Sequence, residues 1–288
     1  MNYLITGANG QLGEEWCRYL NEIDAEFTSR NSSELDITDR ALVFEAADKY
    51  RPDVIINCAA YTKVDQAEAE QEKAFLVNKD GVKNLVECCE EKGIKLVHYS
   101  TDYVFSGSGE DSKTYPNGYP ENAKTDPVNV YGKSKRAGEE VVESSSIHWL
   151  LIRVSWLCGP EGSNFVNTMI RIGGGQDTVR VVEDQYGSPA YTFDVVEKTN
   201  ELLCSDKSGI FHITSSGKIS WADFADEIFR QSGMDVKVER ISSAEFPSKT
   251  VRPVFSLLST KKIEDAGLKT LGWKEGLGEL IRKRNKQL

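Results

Sequence analysis

The chain has 288 residues, 39% hydrophobic and 28% charged, and no apolar run approaches the ~20 residues of a membrane span. A formal net charge of -10 and a pI near 5.0 repel polyanions over most of the surface and exclude nucleic acid as an expected partner. An anionic small ligand would need helix N-termini or a few arginines to supply local positive potential.

Met1 leads at once into the strand-like "NYLIT", without a basic region or an apolar stretch ending in a cleavage site. Six cysteines, Cys17, Cys58, Cys88, Cys89, Cys158 and Cys204, lack metal-site spacing and disulfide density, which indicates reduced thiols and a cytoplasmic location.

Short β-rich runs recur along the chain at 3 to 6 ("YLIT"), 54 to 60 ("VIINCAA"), 95 to 101 ("KLVHYST"), 149 to 155 ("WLLIRVS") and 210 to 214 ("IFHIT"). Amphipathic stretches separate them, including "GEEWCRYLNEI" and "KAFLVNKDGVKNLVECCEEKG", the latter with Gly93 as a C-cap. Continuous apolar strands alternating with helices indicate an α/β fold, a Rossmann-like doubly wound parallel sheet covered on both faces.

After about residue 156 the alternation becomes irregular, with "GPEGSN", "GGGQD" and "YGSPAY". The helix "WADFADEIFRQSG" then carries Trp221, Phe224, Ala225, Ile228 and Phe229 on one stripe, Ser220 as N-cap and Gly233 as its stop. The expected organisation is a nucleotide-binding domain over 1–155, taking in about 190–215, with the remainder of 156–288 forming a smaller α/β substrate-binding lobe. The stretch 106 to 127, "SGSGEDSKTYPNGYPENAKTDP", reads as a long polar loop of the kind that often carries function.

Residues 6 to 13 read "TGANGQLG" between the first strand and a helix. Gly7, Gly10 and Gly13 permit a tight turn and close backbone approach, so a pyrophosphate can meet the helix N-terminus along Asn9, Gln11 and Leu12. An ordinary strand-to-helix turn is the alternative. The GxxGxxG spacing resembles the extended short-chain dehydrogenase/reductases. At the end of the second strand, where NAD enzymes usually carry an acid, stand Ser29 and Arg30. Arg30 suits a 2'-phosphate and favours NADPH over NADH, with use of both left open and a solvated arginine as the alternative. Asp36 and Ile37 match the superfamily pattern that flanks the adenine, although Asp36 equally suits a turn or helix cap.

In "NVYGKSK", residues 129 to 135, a helix would place Tyr131 and Lys135 at i and i+4 on one face. An ammonium beside a phenol stabilises the phenolate and lowers its pKa. Alone, such a pair is also consistent with a solvated helix face. In "YSTDYVFSG", however, Ser100 and Thr101 sit at the C-terminal end of a strand, where open α/β sheets bind ligands. Thr101, Tyr131 and Lys135 thus make up a short-chain dehydrogenase constellation. It implies hydride transfer from nicotinamide to a carbonyl, with Tyr131 protonating the oxygen.

Longer strings narrow the resemblance: "ITGANGQLG", "RPDVIINCAAYTKVDQAE", "STDYVFSG", "NVYGKSK", "RVSWLCG", "NFVNTMIR", "VVEDQYGSPAY" and "RPVFSLL", running from residue 5 to 258. As a set they resemble the dTDP-4-dehydrorhamnose reductase family. That resemblance implies NADPH-dependent reduction of a nucleotide-sugar C4 carbonyl. Ala59, Ala60 and Tyr61 would line the pyrophosphate and nicotinamide ribose, by backbone alone if "CAA" is simply packing. Tyr61, Thr62, Val64 and Asp65 match the loop that approaches the sugar, and Asp102 and Tyr103 follow Thr101 in the substrate region. Trp156 matches a lid on the sugar, and Arg252 an arginine near the diphosphate.

The chain departs from the family pattern at Val154, Cys158 and Ala190, each replacing a hydroxyl-bearing residue near the expected sugar pocket. Some relatives carry an interface magnesium site and form dimers. Glu15 is present here, but "YTFDV" offers no second glutamate, so no metal is expected, whereas a homodimer remains open. His98, His148 and His212 lack ligand spacing and read as core residues. Two rival readings stand: a nucleotide-sugar epimerase or dehydratase of the same superfamily, and a non-catalytic subunit resembling the regulatory subunit of methionine adenosyltransferase.

Overall fold

The computed structural model describes residues 1–246 and 250–287. Its main sheet has six strands: β1 (Tyr3–Thr6), β2 (Phe27–Arg30), β3 (Val54–Asn57), β4 (Lys95–Thr101), β5 (Trp149–Val154) and the strand Gly209–His212. Their order is Gly209–His212, β5, β4, β3, β1, β2. Parallel pairing joins β1 to both β2 and β3, and β3 to β4. The chain runs outward from β1 to β2 and then returns to the other side of β1. The strand order therefore reverses between β1 and β3, where such sheets bind ligands beyond their C-terminal ends.

The inner strands β1 and β3 are buried along their whole length, which is why they are apolar runs without alternation. On one face Leu4, Ile55 and Leu96 pack with Val82, Leu85 and Val86 of the helix Gly81–Lys92. Elsewhere in the core the indole N–H of Trp16 donates to the Tyr99 hydroxyl at 2.8 Å, and that hydroxyl bonds Thr199 Oγ1 at 3.2 Å. Each large side chain so buried contributes roughly 1.5–3 kcal/mol.

Two boundaries differ from those expected. The strand expected over 54–60 stops at Asn57, because the Asn57 side-chain Oδ1 accepts from Thr6 Oγ1 at 2.7 Å and from the Ala59 amide at 3.2 Å, turning the chain out of the sheet. The first helix, α1 (Gln11–Glu22), starts before Gly13, so Gly10 is its N-cap.

The amphipathic stretch before β4 is one helical run with a π-helical turn at Leu76–Asp80, ended by Gly93 at φ 69°. The helix Val130–Glu143 begins where Asn129 Oδ1 accepts from the Gly132 amide at 2.8 Å and Glu68 Oε1 from the Val130 amide at 3.0 Å. It packs closely: a Cβ at Gly132 would lie 2.2 Å from the Tyr103 carbonyl oxygen, and one at Gly138 2.1 Å from that of Asn78.

The chain forms two compact units, one of residues 1–106, 124–153 and 196–211, the other of 107–123, 154–195 and 212–288. These units divide the chain differently from the sequence-based ranges at 107–123, 154–155, 190–195 and 212–215. The segment read as a loop contains a short helix, Asp111–Thr114, and is pinned by Tyr119. Tyr119 donates to Asp111 Oδ2 at 2.6 Å and through its amide to the Leu257 carbonyl at 2.9 Å.

In the second unit the strands Thr178–Val182 and Lys237–Ile241 pair in parallel against the helix Trp221–Gln231. Phe224, Ile228 and Phe229 fill its core, and Ser220 with Asp223 forms a capping box at the helix start.

Candidate active site

At the reversal point Gly7 has φ 64°, and a Cβ there would lie 2.6 Å from the Ala59 amide nitrogen. A Cβ on Gly13 would lie 2.4 Å from the Gly7 carbonyl oxygen. Both glycines are required by the turn itself. Gly10 is different, since its Cβ would meet only the Gly7 carbonyl oxygen at 3.4 Å, an ordinary contact. The fold leaves that position smooth without needing it to be. No side chain caps the start of α1, so the helix presents its positive end to an anion. Leu12 is buried and Asn9 exposed, which leaves backbone as the means by which Leu12 can meet a ligand.

At the end of β2 the Arg30 guanidinium lies over the Tyr50 ring, 4.8 Å from its centroid, and donates to the Tyr50 hydroxyl at 2.5 Å and the Ser29 carbonyl at 2.8 Å. The Tyr50 phenol is lowered as a result, Arg30's hydrogen bond first among the causes. Ser29 is half-buried and hydrogen-bonded to the Cys17 thiol. An aromatic-backed arginine beyond an uncapped helix start fits a dinucleotide bearing a 2'-phosphate. Asp36 caps Thr38, accepting from its amide at 2.9 Å and hydroxyl at 2.8 Å, and remains exposed. Ile37 points into the core against Gly81.

The second cluster lies at the end of β4. Thr101 Oγ1 bonds Asp102 Oδ1 at 2.9 Å, accepts from the Tyr103 amide at 3.2 Å and is hydrogen-bonded to the Tyr131 phenol. The Tyr103 and Tyr131 rings meet edge to face at 5.6 Å. Lys135 is buried and its Nζ donates to the Tyr99 carbonyl at 2.7 Å. Burial lowers its pKa to about 8, with the Glu139 carboxylate opposing. Glu139 is itself buried against Arg153, which donates to it through Nε and Nη2, each at 2.8 Å.

The expected lowering of the Tyr131 phenol by the ammonium is not what this geometry gives. Burial raises the phenol, the Asp102 charge adds to the rise, and the Thr101 hydrogen bond only partly offsets them. Tyr131 is thus a neutral phenol near pH 7, a proton donor and not a phenolate.

The loop after β3 is held by Asn78, a residue that sequence reading missed. Its Oδ1 accepts from the Tyr61 amide at 2.8 Å, and its Nδ2 donates to the Tyr61 carbonyl at 3.0 Å and Ser134 Oγ at 2.9 Å. Asn78 lies in the π-helical turn, a feature frequent at functional sites and invisible to helical periodicity. Tyr61 itself is buried with Ala67, Ala74 and Val130, its hydroxyl on Glu70 at 3.2 Å, so its ring is structural. Thr62 and Asp65 are exposed; Ala59, Ala60 and Val64 are half-buried.

In the second unit Trp156 is half-buried with φ 46°, while Arg252 is half-buried in a stretch without regular secondary structure. Val154, Cys158 and Ala190 are all buried, so the lost hydroxyls belong to packing and not to an open sugar surface. Cys158 still touches the site residue, its thiol donating to the Trp156 carbonyl at 3.4 Å. His98 and His212 are buried core residues, His98 Nδ1 lying 3.0 Å from Asn57 Nδ2. His148 is half-buried, 3.4 Å from Asp206. Glu15 pairs with Arg18, and among the described residues no group of three or more His, Cys, Asp or Glu could hold a metal ion. Among them, too, no helix is long and apolar enough to cross a membrane.

Comparison with known proteins agrees with this geometry. The model of the RmlD substrate binding domain family matches residues 1–285. The spore coat polysaccharide biosynthesis protein SpsK of Bacillus subtilis is 40% identical over 98% of this chain and 97% of its own. The dTDP-4-dehydrorhamnose reductase of Streptomyces griseus is 39% identical over 96% of this chain and 92% of its own. Among solved structures, the dTDP-4-dehydrorhamnose reductase of Bacillus anthracis in complex with NADP superposes with a TM-score of 0.93 at 39% identity, covering 98% of this chain and 99% of that one.

Proposed function

Because the chain belongs to the RmlD substrate binding domain family, we propose that it reduces the C4 carbonyl of dTDP-4-dehydro-β-L-rhamnose with NADPH, giving dTDP-L-rhamnose, a precursor of cell-surface polysaccharide. The observation that carries this reading is the cluster at the end of β4, where the Tyr131 phenol is hydrogen-bonded to Thr101 and Lys135 is buried on the same helix.

NADPH, when bound, supplies the hydride that adds to the sugar C4. Thr101 and Tyr131 orient the carbonyl oxygen, and Tyr131, held neutral by burial, gives its proton to that oxygen as charge develops. The Lys135 ammonium then stabilises the phenolate until solvent reprotonates it. Gly7, Gly10, Gln11, Leu12 and Gly13 hold the pyrophosphate, Arg30 the 2'-phosphate, and Ala59 and Ala60 the ribose side. Asp36 and the backbone of Ile37 flank the adenine. Thr62, Val64, Asp102 and Tyr103 contact the substrate, Trp156 covers its sugar ring, and Arg252 pairs with its diphosphate.

The test is purified protein with a panel of nucleotide 4-keto sugars and either NADPH or NADH. Substrate-dependent loss of nicotinamide absorbance supports the reading. Turnover without consumption of added cofactor would indicate an epimerase or dehydratase, and no turnover would leave the regulatory-subunit reading. The proposal includes a cytoplasmic location, in keeping with six unpaired thiols. It also includes a homodimer, which rests on the resemblance and is measured by sedimentation.

A further inference from the structure

Trp156 is a bulky residue at φ 46°. A left-handed backbone at such a residue costs on the order of 1–3 kcal/mol and persists only where surroundings over-determine it. Those surroundings are specific. The Trp156 ring lies face to face with Trp221, centroids 3.6 Å apart and planes at 13°. Phe165 closes on Trp221 at 4.5 Å and 52°, and Phe224 lies 6.4 Å from the Trp156 ring, so the indole pair is set in an aromatic cluster.

Trp156 is also fixed at its edge. Its Nε1–H donates to Ser256 Oγ at 3.2 Å. A Cβ on Gly187 would lie 2.7 Å from Trp156 Cε2 and 2.7 Å from that same Ser256 oxygen, so only glycine admits the indole there. One short antiparallel ladder, Ile219↔Gly187 and Ser220↔Tyr186, places both the glycine and the residue before Trp221. A single pairing thus sets both the backing ring and the edge cradle of Trp156.

Trp221 reads from the sequence as part of an apolar helix stripe, yet it and Phe165 are both half-buried. A nearly eclipsed sandwich is also not the arrangement aromatic pairs prefer when free to choose.

We propose that Trp221 is a positioning residue for substrate specificity: by backing one face of Trp156 it holds the opposite face as a fixed platform for the sugar ring. This rests on the reading of Trp156 given above. Ser256 and Gly187 complete the support, and a sugar that stacks on Trp156 meets a surface whose ordering cost is already met within the fold.

The experiment compares wild type with Trp221→Leu and Trp221→Phe. Its readouts are KM for the nucleotide sugar, kcat, Kd for NADPH, Tm, and the far-ultraviolet exciton couplet that stacked indoles produce in circular dichroism. The expected result is a couplet in wild type that both variants lose. KM should rise roughly tenfold in Trp221→Leu, the scale of one aromatic contact, with most of that rise recovered in Trp221→Phe and NADPH affinity unchanged. Ser256→Ala, which removes the Nε1–H acceptor without touching the stack, should raise KM in the same direction and gives a second route if Trp221→Leu fails to fold. An active wild type without the couplet, or folded variants with unaltered KM, would overturn the proposal alone. A wild type inactive on the 4-keto sugars would instead remove the functional reading, and the proposal with it.

Discussion

The Lys135 ammonium donates to the Tyr99 carbonyl at 2.7 Å, tying the helix Val130–Glu143 to β4 two residues before Thr101. That bond fixes the candidate acid and the candidate orienting hydroxyl to one another through two rigid elements. The Tyr131 phenol before the reaction is governed by burial and Asp102.

A pH dependence follows from Lys135, whose pKa burial lowers to about 8. Below that value the side chain is an ammonium able to stabilise the phenolate; above it the charge is lost, while Tyr131, raised by burial, keeps its proton. The kcat/KM for NADPH should therefore fall as pH rises through about 8. In Glu139→Gln, which removes a charge that raises Lys135, the limb should move to lower pH. A profile that stays flat through this range would contradict the assignment.

Arg30 should set the cofactor preference. Arg30→Ala removes a guanidinium already poised over Tyr50 and should weaken NADPH binding by roughly 10- to 100-fold, the worth of a charge-assisted hydrogen bond, with NADH binding little altered. Equal losses for both cofactors in fluorescence titrations would show that Arg30 does not meet the 2'-phosphate.

The three glycines of the turn should separate by readout. Gly10→Ala meets no close contact, so it should keep its Tm yet lose NADPH affinity. Gly7→Ala, at φ 64° and 2.6 Å from the Ala59 nitrogen, should lose at least about 2 kcal/mol of stability. If Gly10→Ala binds NADPH normally, the pyrophosphate does not cross that position.

Asn78→Ala leaves the Tyr61 amide and carbonyl and the Ser134 hydroxyl short of partners, at a cost of about 1–3 kcal/mol. The expected signature is a lower denaturation midpoint together with reduced kcat, because the same side chain ties the loop after β3 to the helix that bears Tyr131. Unchanged stability would mean that water replaces the amide without loss.

The sheet was legible because Leu4, Ile55 and Leu96 sit in apolar runs that only a doubly covered parallel strand explains. Thr101, Tyr131 and Lys135 were legible as a motif, since one strand end and one helical spacing bring them together. What escaped depends on tertiary placement. The Tyr61 ring packs inward beside Val130, a placement its loop position does not mark. Asn78 acts from a π-helical turn that no periodicity marks. The pKa of Tyr131 depends on burial and on Asp102, neither of which spacing conveys. The polar stretch 107–123 read as an open loop because Tyr119, the residue that orders it, bonds partners as distant as Leu257.

The most direct test of the central claim is the rate of NADPH oxidation by Tyr131→Phe beside wild type, with dTDP-4-dehydro-L-rhamnose as substrate. The change removes the phenolic proton and leaves the ring against Tyr103. We expect kcat to fall by roughly 10² or more while Kd for NADPH stays within about twofold. Near-normal turnover by the phenylalanine variant would contradict the assignment of Tyr131 as the proton donor.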